Sequence, residues 1–147
     1  MNTSFIAQFT DRGGPAPVSE LNQIIDMFRG NPNETWFPTS LGKVWKPSED
    51  SRFLIFCRTE EGVYAVSGKV LSRRNSIPDE DSVRNLYRGH DYGNWWKVSD
   101  LKQHRWPRLE SIPGVQIKSR KQASASFKGT ATFAYWDFGG VDFDVVG

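Results

Sequence analysis

The chain has 147 residues, a formal net charge of +2, six tryptophans, two histidines and one cysteine. This length fits one compact domain that needs neither disulfides nor metals to build its core. A single cysteine excludes an internal disulfide and a cysteine-rich zinc site, and the histidines lack metal-ligand spacing, so no cofactor is expected.

No segment has the apolar length of a membrane span, and the N-terminus lacks the pattern of a signal peptide. We therefore expect a soluble protein, and the lone Cys57 in an apolar run favours a reducing, cytoplasmic setting.

The first half of the chain predicts a strand followed by a helix. Apolar residues recur every three or four positions from Val18 to Phe28, and the helix is expected to end at Gly30 and Pro32.

An antiparallel hairpin comes next. The runs 52–58 and 63–71 are rich in β-forming residues, and the polar segment 59–62 connects them. Cys57 lies inside the first run, which predicts a buried and unreactive thiol.

The second half predicts a short helix and three more strands. The helix starts in the acidic run 79–81 and ends at 88–89. The strands are expected at 95–101, 115–119 and 125–138.

Strands outnumber helices and are mostly joined by short loops, which favours an α+β fold with a small, curled, largely antiparallel or mixed sheet. We expect one domain over residues 1–138. Residues 139–147 are then a tail or the start of a linker to a following domain.

Two aromatic groups flank the hairpin. Trp36 follows the first helix, and Tyr92, Trp95 and Trp96 precede a strand, so the two groups can converge on a flat ring such as a nucleobase. Strand alternation sends Trp95 and Trp96 to opposite faces, and we expect one of them buried and the other free. The remaining tryptophans are expected in the core: Trp45, Trp106 and Trp136.

The chain resembles the PUA-like superfamily, close to the EVE and YTH domains, over Phe5 to Phe138. Four segments carry the resemblance: Glu34-Thr35-Trp36-Phe37-Pro38-Thr39-Ser40, the hairpin 53–56 and 63–68, the segment 94–101, and the turns Trp106-Pro107 and Ile112-Pro113-Gly114. The fold that it implies is a PUA-like curled sheet or small barrel flanked by short helices.

The resemblance implies recognition of a modified, methylated base that is flipped into an aromatic cage. Trp36 matches the first cage position, and Tyr92 or Trp95 supplies the second wall. The expected base-binding residues are Trp36, Phe37, Thr39, Ser40, Tyr92, Asn94 and Trp95. By analogy with specificity modules of modification-dependent restriction systems, DNA is favoured over RNA, with a fused or associated nuclease or ATPase.

Phosphate contacts would come from basic side chains. The segment 97–128 holds eight basic and two acidic residues, although such residues can also simply solvate a sheet face. The candidates for the nucleic-acid backbone are Arg73, Arg74, Arg88, Lys118, Arg120 and Lys121.

The sequence does not favour catalysis. The acidic run 79–81 is explained by a helix N-terminus, and Asp100-Leu101-Lys102 lacks a second acid on a preceding strand. The alternatives are an RNA-modification reader on the same fold, a protein-interaction module using exposed aromatics and, last, an enzyme acting on a small nucleotide. The base modification and the oligomeric state stay open.

Overall fold

The computed structural model describes residues 4–10, 16–30, 34–39, 51–89, 92–128 and 132–141. Several positions discussed above lie outside these ranges: Pro32, Ser40, Trp45 and residues 142–147 of the tail. The strands are β1 (Ser4–Gln8), β2 (Thr35–Thr39), β3 (Arg52–Thr59), β4 (Gly62–Arg74), β5 (Asn94–Trp106), β6 (Val115–Gln116) and β7 (Phe133–Asp137). The helices are α1 (Pro17–Gly30), α2 (Asp81–Leu86) and α3 (Ala123–Ser126), with a 3-10 turn at Leu109–Ser111.

The strands form one mixed sheet in the order β2-β5-β4-β3-β1-β7-β6. Only the β1–β3 pair is parallel among the pairings of the described strands. The α+β expectation is confirmed. The sheet is not closed into the expected small barrel. In the described part of the chain, β2 and β6 stand at the two ends of the strand order and are not hydrogen-bonded to each other.

The sheet nevertheless curls strongly around its first core. The ring of Phe5 on β1 lies 6.2 Å from that of Phe37 on β2 and 4.7 Å from that of Trp96 on β5. Three strands separate β1 from β2 in the sheet, so these contacts require the sheet to bend over itself. Helix α1 covers this face with Leu21 and Ile24.

The other face carries a second core. Phe56 and Trp136 pack there with Trp106, and Ala123 and Phe127 cover them from around α3. Trp106 and Trp136 are 8% and 1% exposed, so their expected core positions are confirmed.

Helix α1, the hairpin β3–β4 and the short helix α2 agree with the sequence-based predictions. Strand β5 continues to Trp106 because it pairs along most of β4, which itself extends to Arg74. Strand β2 was not predicted, since Pro38 disfavours a strand. Proline is tolerated there because β2 is an edge strand.

Two predicted strands near the C-terminus were partly wrong. The run 125–138 begins as helix α3, whose small alanine and serine residues allow Ala123 and Phe127 to reach the second core. The strand at 115–119 stops at Gln116, because the chain turns and Arg120 N donates to Gln116 O at 2.9 Å.

The β4–β5 ladder has two register shifts. At the first, a Cβ on Gly68 would lie 2.5 Å from Ser99 O and 2.9 Å from both Leu101 and Phe53, so only glycine fits. At the second, between Val70 and Ser72, Leu71 is the extra residue.

Candidate nucleic-acid interface

The register of β2, β5 and β4 places two tryptophans beside two cations. Trp36 pairs with Lys97, and Lys97 pairs with Ser72. Two residues further along β2, Pro38 pairs with Trp95, and Trp95 pairs with Arg74. Directly paired residues share a sheet face, so Trp36, Trp95, Lys97 and Arg74 lie on the same face.

Four rings on this face form what we call the aromatic cluster: Trp36, Tyr87, Tyr92 and Trp95. Tyr87 and Trp95 meet edge to face with centroids 5.2 Å apart, and Tyr92 lies 6.5 Å from Trp95. Tyr87 and Trp95 are fully buried, whereas Tyr92 is half-buried. Val83 of α2 packs against the cluster.

Charged side chains surround the edge of Trp36, which is 8% exposed. Its Nε1 donates to Glu80 Oε1 at 3.2 Å, and Lys97 Nζ lies 5.9 Å from its ring centroid. Lys97 also pairs with Glu34 at 2.5 Å. A cation near an indole face is attracted by the ring quadrupole, so this contact helps to hold Trp36 in place.

The other predicted base-binding residues lie on the opposite face, toward α1. Phe37 is fully buried, and its ring centroid lies 4.9 Å from that of Phe53. Thr39 Oγ1 accepts a hydrogen bond from Trp96 Nε1 at 2.9 Å. Asn94 Oδ1 accepts from Arg73 Nε at 2.8 Å and from Arg73 Nη2 at 2.5 Å. The structure therefore does not bring Thr39 and Asn94 together with Trp36 and Trp95.

The expected alternation of Trp95 and Trp96 is confirmed, since they belong to separate clusters. The expectation that one of them would be free was wrong. Both are fully buried, because α1 covers one face and α2 covers the other.

The predicted phosphate-binding residues fall into two groups. Arg74 pairs with Trp95 at the end of β4, and Arg88 directly follows Tyr87, so both lie near the aromatic cluster. Arg73 pairs with Trp96 and lies on the opposite face, with Asn94. Lys118, Arg120 and Lys121 are exposed and follow β6, at the other end of the strand order. Arg120 pairs with Asp137 at 3.1 Å, and hydrogen bonds from the Gly139 N–H and Arg120 lower the pKa of Asp137.

Sequence reasoning missed Lys97 and Glu80 as parts of this site. Lys97 stands two residues after Trp95, and strand alternation alone would have placed both on one face. Glu80 carried no such signal, because its contact with Trp36 joins elements 44 residues apart in the chain.

Two reactive residue types are buried elsewhere. Cys57 is 1% exposed, so its expected burial is confirmed, and burial raises the pKa of its thiol to about 11. His104 is also 1% exposed, and its Nε2 lies 2.7 Å from Ser67 Oγ.

The described residues hold no group of three or more His, Cys, Asp or Glu side chains placed to bind a metal. Among the helices of the described ranges, none has the length and apolar character needed to cross a membrane.

The fold and this site define an α+β protein with an open, curled, mixed sheet and a tryptophan-bearing face bordered by cations. No protein-family model, curated protein or solved structure matches the chain.

Proposed function

We propose that this protein is a nucleic-acid-binding domain of the PUA-like, EVE/YTH-related kind that recognises a modified, methylated base, without catalysis of its own. The observation that supports the proposal most is the face shared by Trp36, Trp95, Lys97 and Arg74. Flat rings that can stack on a base stand there beside Arg74, an exposed cation that can meet a phosphate, while Lys97 is paired with Glu34 and contacts Trp36.

The energetics of base capture suit this face. Extruding a base from its stack costs a few kcal/mol, and each aromatic wall returns about 1–3 kcal/mol. Tyr92 is only half-buried, so we expect its ring to move aside and the base to take its place against Trp95, with Trp36 as the second wall. A methyl group on the base would bury further apolar area.

Arg74 and Arg88 are exposed beside the cluster and would contact the phosphates of the strand. DNA as the ligand, and a role as the specificity module of a modification-dependent restriction system with a nuclease or ATPase, follow from the resemblance to EVE and YTH domains.

Fluorescence anisotropy tests the proposal with plain and modified oligonucleotides, single-stranded and duplex, of DNA and RNA, at two salt concentrations. The modified probes carry 5-methylcytosine or N6-methyladenine. We expect Trp36→Ala to reduce the preference for the modified strand about 10- to 100-fold and to leave weak, salt-sensitive binding. Trp36→Phe is the matched control, because it keeps a stacking ring and loses only the bond to Glu80.

Circular dichroism must accompany the variants, since removal of a buried tryptophan costs about 3–5 kcal/mol of stability. Equal loss of affinity for modified and plain strands would contradict the cage. A wild-type protein that binds no oligonucleotide at low salt would contradict the nucleic-acid function altogether.

A further inference from the structure

The end of strand β4 runs past its neighbour β3. Pairing of these two strands ends at Arg52 with Lys69, and Val70 N still donates to Ser51 O at 2.9 Å. Beyond this point β4 is paired with β5 alone in the described part of the chain. Among the described residues, 71–74 therefore have only β5 as a paired neighbour.

Leu71 is the apolar residue on this edge. It is the extra residue at the second register shift, and it is 46% exposed, more than any other large hydrophobic side chain of the described residues. It directly precedes Ser72, which pairs with Lys97, and Lys97 in turn pairs with Trp36 of the aromatic cluster. A ligand bound at that cluster and extending along β4 would gain free energy by covering Leu71.

Cations flank Leu71 on both sides. Lys69 is paired with Asp100 at 3.7 Å, which offsets its charge. Arg73 and Arg74, in contrast, donate to the neutral groups Asn94 Oδ1 and Ser76 Oγ, and their positive charges are not neutralised by these bonds. An apolar side chain between cations is complementary to a nucleic-acid duplex, because the duplex carries phosphates on its outside and stacked bases inside.

We infer that Leu71 enters the duplex and fills the space that the extruded base leaves. This inference rests on the proposed function and extends it from the base to the double strand. Leu71 would thus act as a wedge between base pairs. It stands three residues from Arg74, which pairs with Trp95, so about 10 Å along β4 separates Leu71 from the base-binding face. Aliphatic wedges between base steps offset part of the unstacking free energy in this way.

The test compares one modified strand in two states, single and annealed to its complement, carrying 5-methylcytosine or N6-methyladenine. We expect Leu71→Ala to weaken binding of the duplex about tenfold, equivalent to 1.4 kcal/mol, and to leave binding of the single strand unchanged. Leu71→Phe should restore duplex binding, because a larger apolar side chain can still fill the gap.

Ile117→Ala is the matched control. Ile117 is 40% exposed and is followed by Lys118, but it lies after β6, away from the aromatic cluster in the strand order. It should leave both affinities unchanged.

Three results overturn the inference: Leu71→Ala affects neither form, it weakens both forms equally, or Ile117→Ala reproduces its effect. In each case a wild-type preference for the modified strand would leave the proposed function standing. If the wild-type protein binds the modified strand in neither state, the proposed function and the wedge are both wrong.

Discussion

His104 is a histidine that stays neutral because it is buried in the core. The side chain stacks on Trp106 with the rings 4.8 Å apart and 4° from parallel, and Ser67 lies within hydrogen-bond distance. Burial lowers its pKa from 6.5 to about 4, so the imidazole is neutral at physiological pH. A neutral ring packs in this core, whereas a charged ring would carry a cost of desolvation.

This shift predicts a pH-dependent stability. Between the two pKa values the unfolded chain binds a proton that the folded chain does not, so the free energy of unfolding falls as the pH falls. The stability that the neutral His104 contributes is fully present above about pH 6.5. We expect the free energy of unfolding to fall by about 2 kcal/mol between about pH 7 and pH 5. Urea unfolding at both pH values measures it.

His104→Gln should remove this loss, because the amide does not titrate and can still reach Ser67. His90→Gln is the control, since it removes the other histidine and keeps His104. Identical pH dependence in the wild type and His104→Gln would show that another group is responsible.

At the scale of elements, helix α2 depends on its neighbours. It has six residues, its N-cap Glu80 makes no side-chain capping bond, and a helix this short is not stable alone. Val83 anchors it in the aromatic cluster, and Tyr87, at its C-terminal end, donates its hydroxyl to Glu20 Oε2 of α1 at 2.6 Å. Both partners of that bond are fully buried.

We expect Tyr87→Phe to reduce the free energy of unfolding by about 1–3 kcal/mol, because a buried carboxylate loses a donor. Tyr64→Phe is the comparison. The Tyr64 hydroxyl bonds to the neutral Asn22 and Gln103 side chains in a part-buried setting, so its removal should cost less, about 1 kcal/mol.

Denaturant unfolding of both variants gives the difference. An equal or smaller loss for Tyr87→Phe would mean that the bond to Glu20 does not hold α2 against α1.

At the level of the complete fold, the candidate phosphate-binding residues form two separate groups. The group beside the aromatic cluster includes Arg74 and Arg88, and the group after β6 includes Lys118 and Lys121. A strand whose base lies on Trp36 would meet the first group. The position of the strand can therefore be read from the salt dependence of binding.

We expect the double variant Arg74→Gln, Arg88→Gln to lower the slope of log affinity against log salt by about 0.9 for each duplex phosphate that these arginines neutralise in the wild type. Lys118→Gln with Lys121→Gln removes the same formal charge, +2, and should change the slope less. Anisotropy titrations over a range of salt concentrations measure both. Equal changes would place the strand across both groups, and the reverse order would place it at β6.

The elements with local signals can be predicted from the amino-acid sequence alone. Helix α1, the β3–β4 hairpin, the start of α2 and the burial of Cys57 follow from apolar periods of about 3.6 and 2 and from turn residues, all of which lie within about 15 positions. The aromatic residues Trp36 and Trp95 were likewise singled out correctly as one neighbourhood.

Which strands pair, and which face of the sheet each residue takes, could not be predicted in this way and became known from the fold. The pairing of β5 with β2 and with β4 puts Lys97 and Arg74 beside the tryptophans and turns Thr39 and Asn94 away. Helices α1 and α2 together bury both Trp95 and Trp96. These outcomes depend on contacts between distant segments, whose free energy comes from packing and not from local preference. A single-position change of register would reverse every face assignment, and no local pattern records the register.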